Sequence, residues 1–206
     1  MEKEAGRSRK EKASATKKRL YAAADALFTQ YGFDEVSVDR IVEEAGVAKG
    51  TFYVHFASRD SLLEALIADS VERVDVDYQA FIDTFPPTMP ATDVLLRLAE
   101  KIMDVVMNTI GLERMKALYR THLTNISRTG TAASYNRMLY KTIMGVLDKG
   151  IQSGELSSEL PLEALANHLI LAMRGIIYEW CIRYPDFDLQ AQTRAHFQLI
   201  LRGMQA

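Results

Sequence analysis

Residues 37–66 read SVDRIVEEAGVAKGTFYVHFASRDSLLEAL and carry the pattern that decides the fold. This stretch predicts two short helices joined by a tight turn at Gly46, and then a third helix that begins after Ser58. Glycine adopts the positive φ that such a turn needs at little steric cost. Two short helices around a glycine-containing turn form a helix-turn-helix, whose second helix can enter the major groove of DNA.

Helical spacing gives both short helices an apolar face, which is formed by Val38, Ile41, Val42, Ala45, Phe52 and Phe56. Ser37 precedes the first helix and is a good N-cap, because its hydroxyl can accept from a backbone N–H of the first turn. The second helix places a polar set largely outside the apolar face, namely Lys49, Thr51, Tyr53 and His55. Such side chains suit phosphate oxygens and base edges, so the pattern indicates DNA recognition.

Two other classes of function remain open at this point. One is a helical ligand-binding or interaction protein whose head has lost its DNA affinity, in which Tyr53 and His55 are ordinary surface residues. The other, least favoured, is an enzyme. The four histidines lack metal-ligand spacing, and the sequence has no G-x-S-x-G, no phosphate-binding glycine loop and no Cys pair. We therefore expect no catalytic residue, no metal site and no cofactor.

Composition favours a helical protein with a sizeable core. The chain has 206 residues, of which 48% are hydrophobic, with only 5 prolines and no recurring strand alternation. The single Cys181 excludes an internal disulfide and suits a reducing compartment. No apolar run reaches the roughly 18 to 20 residues that span a bilayer, and the N-terminus lacks the apolar core of a signal peptide. We expect a cytoplasmic protein with no membrane partner.

Charge is distributed unevenly along the chain. The net charge is −2, yet residues 1–20 hold eight Lys or Arg against three Glu, a local charge of +5. Residues 1–14 are predicted to form a flexible basic arm, which is either a solvated tail or a segment that follows the phosphate backbone. Lys17, at the start of the first helix, favours phosphate contact.

Periodicity and breakers divide the chain into about nine helices. Residues 15–57 are predicted to form a three-helix head that contains the helix-turn-helix, and residues 58–206 a larger helical body. The helix that begins after Ser58 is about 25 residues long and could join the two. The predicted fold class is therefore all-α.

The stretch LYAAADALFTQYGFDEVSVDRIVEEAGVAKGTFYVHFASRDSLLEAL, residues 20–66, resembles the TetR family of bacterial transcriptional repressors. Its signature is GTFYVHF followed by SRDSLL. The resemblance implies a homodimer with a DNA-binding head on each subunit and a body that dimerises and holds an effector pocket. It further implies a sequence-specific repressor of a near-palindromic operator, released by a small and, in our prediction, lipophilic effector.

Carried over residue by residue, the resemblance predicts a DNA-contacting set of Lys17, Ser37, Arg40, Lys49, Gly50, Thr51, Tyr53, His55 and Arg59. Lys17, Tyr53, His55 and Arg59 are expected to hold the phosphate backbone. Arg40, Lys49 and Thr51 are better placed to contact base edges. Ala48 departs from the Ser or Thr that is frequent at its position, which removes a helix cap and a hydroxyl donor.

The body offers two further sets of candidates. The predicted dimer interface, on the last two helices, consists of Ile170, Met173, Ile177, Trp180, Phe197, Ile200 and Leu201. The predicted effector pocket consists of Met103, Met107, Tyr119, His122, Tyr140, Met144 and Tyr178. Flexible methionines suit a cavity for apolar ligands but are equally common core fillers, and a histidine at the edge of an apolar face is often a partnered core residue.

Overall fold

The computed structural model describes residues 2–124, 137–157 and 159–205, without the side chains of 2–10, 12, 68, 70–77, 121, 122, 124 and 137. Within these residues the chain is all-α, as predicted, with nine α-helices and one π-helical turn. The helices of the N-terminal half are α1 (Glu2–Tyr31), α2 (Val38–Glu44), α3 (Lys49–His55), α4 (Arg59–Asp83) and α5 (Ala91–Val105). The π turn (Val106–Ile110) leads to α6 (Leu112–Thr124), α7 (Arg137–Gln152), α8 (Leu162–Arg183) and α9 (Leu189–Arg202).

Helix α1 is longer than the sequence pattern indicated. The segment predicted as a flexible arm over residues 1–14 is helical from Glu2 onward, and α1 runs without a break to Tyr31. Lys, Glu, Arg and Ala dominate this segment and are all good helix formers, and it contains no proline. Local propensity therefore extends the helix well beyond the part that packs on the head.

Local signals set the boundaries of the short helices, as predicted. The hydroxyl of Ser37 accepts from the backbone N–H of Arg40 at 3.2 Å and caps α2. Gly46 has a φ of +61° and turns the chain between α2 and α3. Ser58 caps α4 by a reciprocal pair of hydrogen bonds with Ser61. Ala48, at the cap position of α3, makes no side-chain hydrogen bond.

Two hydrophobic cores divide the molecule. The head core joins α1, α2, α3 and the first half of α4, and its fully buried side chains include Leu20, Ile41, Phe52, Leu62 and Leu63. The body core joins α5, α7, α8 and α9 and extends to α6 and the π turn. Helix α4 therefore belongs to the head at its start and to the body at its end. Among the described residues, every helix is too short or too polar to span a bilayer.

Candidate nucleic-acid interface

Helix α3 is anchored by its two phenylalanines and exposes its opposite side. Phe52 is completely buried and Phe56 nearly so, and their rings lie 5.7 Å apart in the head core. On the other side Tyr53 is 52% exposed and Val54 80% exposed. The polar face of α3 is therefore not covered by the protein's own body, which is the condition for docking into a groove.

Two cations of the predicted DNA-contacting set are already held by neighbours within the head. The guanidinium of Arg40 lies 3.7 Å from the ring centroid of Tyr31, at the end of α1. The ammonium of Lys49 lies 2.7 Å from a carboxylate oxygen of Asp39, on α2. The hydrogen bond that Lys49 donates to Asp39, together with the charge of that carboxylate, raises the pKa of Lys49 above its ordinary value.

Arg59 is engaged with the loop between α1 and α2. One of its terminal nitrogens, Nη1, donates to the carbonyl oxygens of Phe33 at 3.0 Å, Asp34 at 3.3 Å and Val36 at 2.8 Å. The guanidinium also lies 4.1 Å from the ring centroid of Phe33. Arg59 thus ties the start of α4 to the loop before α2, and its phosphate contact stays a prediction.

The remaining predicted residues differ in how far they are exposed. Ser37 and Gly50 are exposed, whereas Thr51 and His55 are half-buried. Lys17 is exposed on α1, with its ammonium 5.2 Å from the ring centroid of Tyr21. The ion pair between Asp39 and Lys49 joins α2 to α3, and Lys17 lies on α1.

Three residues of this surface were missed by sequence reasoning. Val54 is an exposed apolar side chain on α3, and valine can contact the methyl group of thymine. Tyr31 and Asp39 hold Arg40 and Lys49 from α1 and α2. Val54 could have been found from its position opposite Phe52, but the other two depend on contacts between helices that no spacing rule reveals.

Comparison with known proteins shows which family the head matches and which regulators the chain is similar to. The family model described as "Bacterial regulatory proteins, tetR family" matches residues 20–66, the segment that forms the head core and the exposed face of α3. The HTH-type transcriptional regulator AcrR of Shigella flexneri is 25% identical over 205 residues, which cover 95% of this chain and 92% of that protein. Residues 20–66, the DNA-binding head, therefore belong to the TetR family. Like AcrR, the chain is a helix-turn-helix transcriptional regulator rather than an enzyme.

Solved structures share this all-α fold over more than nine tenths of the chain. A TetR-family regulator from Pectobacterium atrosepticum superposes with a TM-score of 0.77 at 19% identity and covers 95% of this chain and 97% of its own. FadR of Bacillus subtilis, solved in complex with stearoyl-CoA, has a TM-score of 0.68 at 18% identity and covers 91% and 98%. These similarities extend the all-α prediction from the head to the body.

The predicted dimer-interface residues lie mostly inside the body of the subunit itself. Buried side chains in the set are Ile170, Met173, Ile177, Trp180, Phe197 and Leu201, and Ile200 is partly buried. Other apolar residues of the same two helices point outward. Leu171 is 60% and Ile182 57% exposed on α8, and Leu199 is 70% exposed on α9.

The predicted effector-pocket residues do not form a single cluster in the body, because two of the tyrosines contact different parts of α8. Tyr119 and Tyr178 meet edge to face with centroids 5.5 Å apart, and the Tyr119 hydroxyl donates to the carbonyl of Arg174 at 3.1 Å. Burial raises the pKa of Tyr119 to about 12. Tyr140 instead donates to the carbonyl of Glu163, near the start of α8, at 3.3 Å.

The other members of that predicted set have different surroundings. Met103 is completely buried, while Met107 and Met144 are partly buried against the body core. The side chain of His122 lies outside the described residues. A small apolar cavity of about 10 Å³ between α5, α7, α8 and α9 is lined by Leu98, Ile143 and Phe197 among others. That cavity has room for about one water molecule and is too small for an effector.

Helix α6 connects the body to the DNA-binding head. Ala117 is buried in the head core, and Leu118 packs against both cores. The guanidinium of Arg114 lies 2.7 Å from the carboxylate of Asp25 and donates to the hydroxyl of Thr29 at 2.7 Å, both on α1. Further along α6, Arg120 forms an ion pair with Asp34 in the loop after α1. The helix that carries Tyr119 is therefore also bonded to the head.

Proposed function

We propose that this protein is a homodimeric repressor that binds a near-palindromic operator through α3 and is released by a small lipophilic or amphipathic effector. The observation that carries the proposal is the uncovered polar face of α3. Its outward residues Lys49, Tyr53 and Val54 are exposed, whereas the phenylalanines behind them are buried. Family membership makes DNA the ligand that this face fits.

We assign phosphate and base contacts on this surface according to which side chains have hydrogen-bond donors free to contact DNA. Tyr53 presents its hydroxyl to solvent, and Lys17 adds a cation at the edge, so these two residues position the head on the phosphate backbone. Arg40 and Thr51 face the bases, with Arg40 oriented by the ring of Tyr31. Gly50 lets the backbone of α3 approach the DNA closely, since no side chain intervenes.

Dimerisation in this proposal uses the outward side of the last two helices. Leu171, Gly175, Tyr178 and Ile182 recur at helical spacing on α8 and are all exposed, forming a stripe about 16 Å long at 1.5 Å per residue. Leu199 on α9 adds a strongly exposed apolar side chain. A two-fold axis through such a self-complementary patch pairs two heads, as the repeat of DNA half-sites requires.

Effector binding in this proposal acts through α6. The body side of α6 carries Tyr119, and the head side carries Arg114 with its partners on α1. A ligand that packs against Tyr119 favours one position of α6, and DNA favours the position in which both heads fit their half-sites. Release follows only when the ligand binds these two states with different affinity. FadR with its bound stearoyl-CoA supports a ligand of lipophilic or amphipathic class.

Selection from a pool of random duplexes tests the DNA-binding part. The full-length protein should enrich sequences with two inverted half-sites spaced about 34 Å, or a multiple, apart. The matched variant Tyr53→Ala should fold with unchanged helicity, because Tyr53 lies on the surface, and should enrich nothing. If the wild type enriches no sequence and binds no duplex, the protein is instead a helical ligand-binding or interaction protein.

A second experiment tests release. Compounds that raise the melting temperature of the protein, drawn from a panel of fatty acids, acyl-CoA esters and aromatic apolar molecules, are added to the complex with the enriched duplex. An effector should lower the affinity for that duplex at a concentration close to its own binding constant. A compound that binds tightly and leaves DNA affinity unchanged occupies a site that is not coupled to the head, and if every binder behaves so, release by effector is wrong.

A further inference from the structure

The ion pair between Asp39 and Lys49 joins the two helices of the helix-turn-helix on its outer side. The Lys49 ammonium lies 2.7 Å from the Asp39 carboxylate, and the side chains are 54% and 69% exposed. Asp39 lies in the first turn of α2, and Lys49 is the first residue of α3. A carboxylate bonded to the recognition helix is thus placed on the surface that the proposed function assigns to DNA.

An exposed pair of this kind contributes little to the stability of the fold. Its consequence lies in the charge that the head presents to DNA. Each unpaired lysine that neutralises a phosphate strengthens binding to every sequence alike and steepens the salt dependence. Paired with Asp39, Lys49 belongs to a unit without net charge, so it adds little to this sequence-independent attraction.

The same pair places a donor and an acceptor side by side. A lysine ammonium donates to the O6 and N7 atoms of guanine, and an aspartate carboxylate accepts from the N4 amino group of cytosine. These groups lie next to each other on the major-groove edge of a G·C base pair, which the pair can contact with both partners. A phosphate offers only acceptors and leaves the carboxylate repelled and without a donor.

We propose that Asp39 is a specificity-determining residue that, with Lys49, selects a G·C base pair in the operator and suppresses binding to other DNA. This inference rests on the proposed function and assigns to a residue on α2 a role that the recognition helix alone does not supply. Asp39 acts both directly, as an acceptor for cytosine, and indirectly, by holding the lysine away from phosphate.

Asp39→Asn and Glu43→Gln form the matched pair of variants for the test. Both remove one negative charge from α2, and Glu43 is exposed, whereas Asp39 is the residue that pairs with Lys49. Binding is measured over a salt series to a mixed-sequence duplex and to the duplex that the wild type enriches. Circular dichroism and thermal melting confirm that both variants fold.

Asp39→Asn should bind the mixed-sequence duplex more tightly than Glu43→Gln does, with a salt slope steeper by about 0.9, the value for one additional phosphate contact. Its affinity for the enriched duplex relative to the mixed one should fall by roughly 5- to 150-fold, and its preference for G·C at one position in each half-site should be lost. In a Lys49→Met background, the two substitutions should have equal effects on the salt slope.

Equal behaviour of Asp39→Asn and Glu43→Gln on both duplexes would overturn the inference while leaving the proposed function intact. So would an unchanged base preference of Asp39→Asn at every position of the enriched sequence. A wild-type protein that binds neither duplex overturns the proposed function and this inference together, so the two failures are distinguishable.

Discussion

Arg59 donates a hydrogen bond to the carbonyl oxygen of Val36 at 2.8 Å and so joins the first turn of α4 to the residue before the cap of α2. The same nitrogen donates to the carbonyls of Phe33 and Asp34. These carbonyls end the loop that presents Ser37 and α2 to the DNA. The position of the helix-turn-helix therefore depends on a residue that lies outside it.

Arg59→Met should destabilise the protein by about 1–3 kcal/mol, because three carbonyls lose a charged donor. DNA affinity should fall with the stability of the head, while the slope of affinity against salt stays that of the wild type. Lys17→Met, in contrast, should leave the stability unchanged and reduce the magnitude of the salt slope by about 0.9, because one phosphate contact is lost. Chemical denaturation and binding over a salt series separate the two effects. A reduced salt slope in Arg59→Met would instead show that Arg59 contacts a DNA phosphate.

Gly50→Ala should keep or raise stability and still weaken DNA binding. A Cβ at Gly50 meets no heavy atom within 4 Å in the free protein, and alanine favours a helix over glycine by up to about 1 kcal/mol. The added methyl group stands where the DNA approaches α3. Gly145→Ala on α7, which also has open space, is the control and should leave DNA affinity unchanged. Equal DNA affinity in both variants would show that Gly50 does not lie in the DNA interface.

Leu171→Glu combined with Leu199→Glu should convert the proposed dimer into a folded monomer. Both side chains are mostly exposed in the single subunit, so the substitution costs the subunit's own core little. Buried in an interface, however, an unpaired carboxylate is strongly unfavourable. Sedimentation equilibrium measures the mass. Ile151→Glu is the control, because Ile151 is an exposed residue of α7 that is not part of the proposed interface, and this variant should remain dimeric. A dimeric double variant would place the interface elsewhere.

Arg114→Met should leave DNA binding nearly intact and impair release by effector. The substitution removes the ion pair with Asp25 and the hydrogen bond to Thr29, which bond α6 to the head. The factor by which effector lowers DNA affinity should fall by roughly 5-fold or more. Lys116→Met is the control, because Lys116 pairs with Glu113 inside α6. Undiminished release in Arg114→Met would show that effector binding is coupled to the head through other contacts.

Glu155 supplies the cap that Pro90 cannot give to α5. Its carboxylate accepts from the backbone N–H groups of Ala91 at 2.6 Å and Thr92 at 2.9 Å, and from the Thr92 hydroxyl at 2.7 Å. Burial raises the pKa of Glu155, but these hydrogen bonds outweigh it and hold the pKa below the ordinary value of 4.5. The stabilisation is therefore fully present above pH 4.5 and is lost as the pH falls through the lowered pKa.

Glu155→Gln should cost about 0.5–2 kcal/mol at neutral pH, the usual range for the loss of a helix cap. The difference in the free energy of unfolding between the variant and the wild type should become smaller as the pH falls below 4.5. Thermal melting as a function of pH measures both. Glu159→Gln, an exposed residue of the same connection, should show no such dependence. A difference that is constant with pH would argue that the lost oxygen, and not the charge, caps the helix.

The head could be predicted closely because its signals are local. Ser37, Gly46 and Ser58 act within a few residues of themselves, and the spacing of Phe52 and Phe56 alone separates the buried face of α3 from the exposed one. The charge of residues 1–14 favours a flexible arm, whereas their helix propensity extends α1 back to Glu2.

The orientation of α8 and the internal partners of the DNA-facing cations required the tertiary structure. Helix α8 has apolar residues around most of its circumference, so spacing could not tell buried Ile170 from exposed Leu171. The sequence by itself determined the helices and the recognition face, because caps, turns and periodicity act over one or two helical turns. Only the tertiary structure decided that Asp39 holds Lys49 and that Arg114 reaches Asp25, because these contacts join separate helices and depend on how the helices pack.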